Sequence, residues 1–97
     1  MPVSRFHTGS KSSIPANAVP LTASGVILAQ GVQIFTDRSI NGTVYCGYHP
    51  NITAAGSDHS TGFPLASGDS LFLPVNDPTS IFVLSSPSGQ KVYWIGF

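Results

Sequence analysis

Apolar residues along this chain come in short runs at a period of two, separated by clusters of glycine, proline, asparagine and serine. Val32-Gln33-Ile34-Phe35-Thr36-Asp37 puts Val32, Ile34 and Thr36 on one face, and Thr43-Val44-Tyr45-Cys46-Gly47-Tyr48 does the same for Val44, Cys46 and Tyr48. Such alternation marks strands with one buried side. The stretch between them, Asp37 to Gly42, ends in Asn-Gly, a strong hairpin signal, so these two runs are expected to pair as an antiparallel hairpin. Leu71-Phe72-Leu73-Pro74-Val75 alternates again, and its proline implies an edge or bulged position. Ile81–Leu84 and Lys91–Phe97 follow, behind turns at 76–79 and 85–89, while Gly25–Leu28 is a shorter apolar run. No window carries a helical period over three turns. About six or seven short strands at this spacing predict an all-β fold, a small antiparallel β-sandwich or jelly-roll-like barrel. Its expected core is Val32, Ile34, Val44, Cys46, Leu65, Leu71, Leu73, Ile81, Val83, Val92 and Trp94.

The first 24 residues break the pattern. They hold Ser, Gly, Ala and three prolines (Pro2, Pro15, Pro20) without a sustained period, the composition of an extended segment. The division expected from this is an N-terminal arm over 1–24 and a β-domain over 25–97. An arm of this kind docks on a neighbouring subunit through Phe6, Ile14, Val19 and Leu21, with Arg5 and Lys11 as electrostatic guides. Residues 49–63 are small and polar and predict a long loop with at most one short edge strand.

Several strands are apolar on both sides. Phe72 and Phe82 point away from the Leu71/Leu73 and Ile81/Val83 faces, and Tyr93, Ile95 and Phe97 fall opposite Trp94. A sheet with a solvated outer face does not need this, so that side is covered by a second layer or by another chain. Phe72, Phe82, Tyr93, Trp94 and Phe97 are therefore the candidate contact residues of the body.

Composition strengthens the case for association. Of 97 residues only 8% are charged, the net charge is zero, and no glutamate is present. Ordinary domains are about 25% charged, and a neutral, weakly charged surface tends to associate. Arg5 and Lys11 give residues 1–24 a charge of +2; Arg38 and Lys91 against Asp37, Asp58, Asp69 and Asp77 give the remainder −2. Four scattered bases cannot form the basic face that phosphate recognition needs, so no nucleic-acid partner is expected. No apolar run approaches the ~20 residues of a membrane helix, and none resembles a signal sequence. Cys46 is the single cysteine, which leaves no disulfide framework and suggests folding in a reducing cytoplasm.

Three features of the sequence carry candidate chemistry. Gly68-Asp69-Ser70-Leu71 shares its letters with a serine-esterase signature, yet such a nucleophile sits on a turn into a helix and needs a histidine base. After Ser70 the chain reads LFLPVND, strand-like and interrupted by Pro74, and no histidine follows His59. His7, His49, His59 and Asp58 lack metal-ligand spacing, and Cys46 lies mid-strand like a small buried hydrophobe. No catalytic residue, cofactor or metal is expected.

Four blocks in order carry a resemblance: Asn41–Gly47 (NGTVYCG), Gly62–Ser70 (GFPLASGDS), Asp77–Val83 (DPTSIFV) and Gln90–Gly96 (QKVYWIG). Together they resemble small β-sandwich accessory virion proteins of tailed bacteriophages, of the capsid decoration or cement type; the likeness covers residues 26–97. The resemblance implies a non-enzymatic structural role in the virion, assembled in the bacterial cytoplasm. It also implies binding between major capsid subunits or other virion proteins, as a homo-oligomer with a trimer favoured. Alternatives are a tail, neck or baseplate subunit, or a virion-surface glycan-binding module using Trp94, Tyr93 and loop 49–63.

Overall fold

The computed structural model describes residues 6–23, 25–39, 41–54 and 61–97. Among the described residues eight strands form: β1 (His7–Ile14), β2 (Val19–Pro20), β3 (Val32–Thr36), β4 (Thr43–Gly47), β5 (Phe63–Leu65), β6 (Ser70–Leu73), β7 (Phe82–Ser86) and β8 (Gln90–Gly96). They make two four-stranded sheets, ordered β1-β8-β3-β6 and β2-β7-β4-β5, and every strand pairing is antiparallel. The all-β expectation thus holds, in a sandwich-like pair of stacked sheets. The pairs β4–β5, β3–β6, β2–β7 and β1–β8 are nested like the two arms of one long hairpin, with successive pairs falling in alternate sheets.

The core lies between the sheets. Val32, Ile34, Val92 and Trp94 from the first sheet meet Val44, Cys46, Leu65 and Val83 from the second. Period two does the sorting: β3 is buried at alternate positions and half-buried between them, and β4 follows the same alternation. Ile81 is buried as expected, whereas Leu71 and Leu73 are only partly so. Ile14, Leu21, Leu28, Ile52 and Leu84 join the buried set without having been foreseen.

The expected arm is corrected by this topology. Residues 7–14 are an edge strand of the first sheet, paired with β8, and Val19-Pro20 pairs with Val83-Phe82 of β7. Ile14 and Leu21 are both 0% exposed, so they anchor the domain's own core and cannot reach a neighbour. The segment HTGSKSSI hid this because an edge strand facing solvent can carry hydroxyls where a central strand carries valines. Of the remaining arm residues, Val19 and Lys11 are half-buried, Phe6 is exposed, and Arg5 lies outside the described residues.

The Asn-Gly hairpin is also corrected: β3 and β4 belong to different sheets. The chain passes from the first sheet at Thr36 to the second at Thr43, and the chemistry of the described residues between them explains the letters. The Asp37 carboxylate accepts from the Ser39 N–H at 2.8 Å, closing a local turn. Asn41 is held by Gln90, whose Nε2 donates to Asn41 Oδ1 at 2.9 Å. At Gly42 a Cβ would lie 2.5 Å from Pro87 Cδ, so the residue serves close approach of the 86–87 turn rather than a hairpin.

Two smaller expectations change. Residues 25–28 are not a strand; Leu28 is buried while its N–H donates to the Asn76 carbonyl at 2.8 Å, and Ile27 is 92% exposed. Strand β6 ends at Leu73, because the Val75 N–H folds back to the Leu73 carbonyl at 2.8 Å around Pro74. Asp77 then caps a 3-10 turn over Pro78–Ser80, its side chain accepting from the Thr79 N–H.

Candidate interaction surface

Gly68-Asp69-Ser70-Leu71 is a turn entering a strand. The Asp69 N–H donates to the Ala66 carbonyl at 3.0 Å, and the Asp69 carboxylate accepts from the Ala66 N–H at 2.9 Å. Gly68 takes a φ of +79°, as the third residue of such a turn requires. The buried Thr36 hydroxyl ties this turn to β3 by reaching the carbonyls of Ala66 and Asp69. Ser70 opens β6 with its side chain exposed. Among the described residues no group of three His, Cys, Asp or Glu side chains converges. His7 is on β1, His49 lies in the loop after β4, and Asp58 and His59 are outside the described residues.

The feature that the register does build is an aromatic surface on the outside of the first sheet. Two cross-strand rows span all four strands: Thr8, Ile95, Gln33 and Phe72 in one, Ser10, Tyr93, Phe35 and Ser70 in the other. All of these point away from the core, since they alternate with the buried Val32, Ile34, Val92 and Trp94. Phe72 is 42% and Tyr93 40% exposed. Phe97 extends the surface beyond Ile95, its ring 6.1 Å from that of Phe72. Thr8, Ser10, Gln33, Phe35, Tyr93 and Ile95 border a shallow hollow of about 480 Å³.

One margin of the surface is charged. The Tyr93 hydroxyl donates to Asp37 Oδ2 at 3.0 Å, Lys91 Nζ lies 4.9 Å from the centre of the Tyr93 ring, and the Arg38 guanidinium lies 5.8 Å from that of Phe35. These cations over aromatic faces hold the rings in place. The Ser39 N–H, then the Ser39 hydroxyl, then the Tyr93 hydroxyl hold the Asp37 carboxyl below its ordinary value. The surface is thus amphipathic, an apolar middle with a small charge cluster of two cations and one carboxylate at one margin.

Of the body residues expected to make contacts, Phe72, Tyr93 and Phe97 come together here. Phe82 does not: it is on β7 in the other sheet and half-buried. Trp94 is corrected outright as a contact residue, being 8% exposed within the core cluster, with its indole lying across Gly9. Phe35 and Gln33 were missed, although the alternation that put Val32 and Ile34 inside already put them outside; Ile95 was read as outward but not as a contact residue. Comparison with protein-family models, curated proteins and solved structures finds no match to the chain.

Proposed function

We propose that this chain is a non-enzymatic structural subunit of a tailed-bacteriophage virion, a capsid decoration protein that binds between major capsid subunits. One observation carries the proposal: the outer face of the first sheet carries Phe35, Phe72, Tyr93, Ile95 and Phe97, with Phe72 and Tyr93 exposed and the other three half-buried, where a free-standing sandwich needs polar residues. Aromatic residues at the centre of a contact, with charges at its rim, are the usual composition of protein interfaces.

The nested strand order supports the architectural part of the reading. β1-β8-β3-β6 facing β2-β7-β4-β5 is the order of a jelly roll, an architecture shared by viral capsid and lectin domains. Fold alone does not give function; the motif order of residues 26–97 adds the phage context, and the low charge adds a tendency to assemble. A tail, neck or baseplate position uses the same surface. A glycan-binding role has less support, because Trp94, its expected platform, is buried.

Contact through this face does not need a free N-terminal arm; β1 contributes Thr8 and Ser10 to the same surface. Particles purified on a density gradient from the phage that carries the gene provide the test. Mass spectrometry is expected to find the chain in a fixed ratio to the major capsid protein. A Phe72→Ser, Tyr93→Ser double variant, checked for folding by its single tryptophan, should leave the particle fraction. Particles free of the wild-type chain would sink the reading.

A further inference from the structure

A second cavity lies on the opposite side of the molecule's logic, between the sheets rather than outside them. β6 is the last strand of the first sheet and β5 the last of the second. The sheets part between these two edges and leave a cleft of about 300 Å³, lined by Cys46, Phe63, Leu71, Leu73, Val75 and Ile81, with Tyr48 beside them. Leu71 and Leu73 pair in register with the fully buried Ile34 and Val32, yet they stay only partly buried. Core-facing leucines are left half-covered because the cleft opens onto them.

The walls specify the chemistry of an occupant. Among the described residues, none that lines the cleft is charged. The Ser80 hydroxyl already donates to the Asp77 carbonyl at 2.7 Å, and the Cys46 thiol lies 3.8 Å from the Phe63 carbonyl. Burial pushes that thiol up to about 11, as expected for a wall that disfavours charge. Tyr48 and Phe63, 78% and 57% exposed, stand at the mouth. A ligand pocket of this size and lining takes an apolar body and keeps its polar end outside.

We propose that the cleft between β5 and β6 binds a single uncharged aliphatic chain, with any hydroxyl at the Tyr48 mouth. The volume is about twice that of an apolar cavity that holds benzene, which sets the length at roughly eight to twelve carbons. This site is independent of the outer aromatic surface and of the virion reading.

A series of primary alcohols from 1-butanol to 1-hexadecanol, titrated calorimetrically against the full chain, tests it. Affinity should rise about fourfold for each added methylene, then level near ten carbons. Bound 1-decanol should also protect Cys46, the only thiol, from a small neutral thiol reagent. Val75→Phe and Leu73→Trp both fill the cleft; each should lose 1-decanol binding at least tenfold while keeping a cooperative melt. Two variants guard against one simply misfolding. Absence of saturable binding, a rise continuing to sixteen carbons, or unchanged affinity in both folded variants would overturn the proposal. So would self-association of the wild type that the filling variants abolish without any alcohol binding, which assigns the cleft to a second copy.

Discussion

At the scale of single residues, the clearest constraint is the contact between Gly9 and Trp94. A Cβ at position 9 would sit 2.6 Å from the indole Nε1 and 2.7 Å from Cε2, well inside van der Waals contact. Gly9 and Trp94 are register partners, so neither strand can shift without breaking the β1–β8 ladder. Gly9→Val is expected to cost about 1–3 kcal/mol, the usual penalty for overpacking. Urea unfolding followed by the emission of the sole tryptophan measures it, with a red-shifted native spectrum as a second sign. Asp77 is a constraint of another kind. The Thr79 N–H and then the Thr79 hydroxyl hold its carboxyl below 3.8. A carboxyl depressed in the folded state stabilises fully above its unfolded value, and that stability is lost as pH falls through the lower folded value. The melting temperature should therefore drop below about pH 4. Asp77→Asn, which keeps the capping oxygen but not the charge, should flatten part of that drop. An identical pH profile in the variant would show that the Asp77 charge contributes nothing.

At the scale of elements, the turns are where side chains replace sheet hydrogen bonds. The Thr36 hydroxyl, buried at the end of β3, reaches the carbonyls of Ala66 and Asp69 and so fixes the entry into β6. Thr36→Val keeps the shape and removes the donor, and is expected to cost about 1–3 kcal/mol. Chemical denaturation should show a lower midpoint with an unchanged slope, since the surface exposed on unfolding stays the same. Strand positions and faces were legible in the sequence for β3, β4 and β8, where buried and outward positions alternate; β7 was found, but its run of buried residues through Leu84 and Ser85 was not. They were not legible for β1 and β2, because an edge strand of Ser, Thr and Gly has no apolar period to read. Pairing was not legible either. Asn41-Gly42 looks like a hairpin turn locally, but its partners, Gln90 and the 86–87 turn, lie more than forty residues away. Of the outer surface, Phe72, Tyr93 and Phe97 could be read from two-sided strands. The alternation put Trp94 inside; what it did not show is the glycine opposite, which makes room for the indole.

At the scale of the whole molecule, the nested order makes the two ends of the chain partners. β1 and β8 pair along most of their length, and β2 closes the second sheet against β7. Three bonds lock the link between them: the Ser85 N–H to the Pro15 carbonyl at 2.9 Å, the Ser85 hydroxyl to the Ile14 carbonyl at 2.6 Å, and the Gly89 N–H to the same carbonyl at 2.7 Å. Pairing chain ends carries a loop-closure cost that only the completed sheets offset, so folding is expected to be slow and all-or-none. Residues 7–20 are therefore integral to the domain, and removal of the segment that holds them separates two mechanisms. If they were a docking arm, deleting residues 1–20 would leave a folded body that no longer assembles. In the observed topology the deletion strips the outer strand from each sheet, removes Ile14 from the core and uncovers Trp94. Burial of an isoleucine alone is worth about 2–5 kcal/mol against its truncation, a large part of the 5–15 kcal/mol that holds a domain together. The truncated chain should show no cooperative melt and a tryptophan emission close to that of the unfolded protein. A native spectrum and a sharp transition after deletion would restore the arm and leave β8 as the true edge of the sheet.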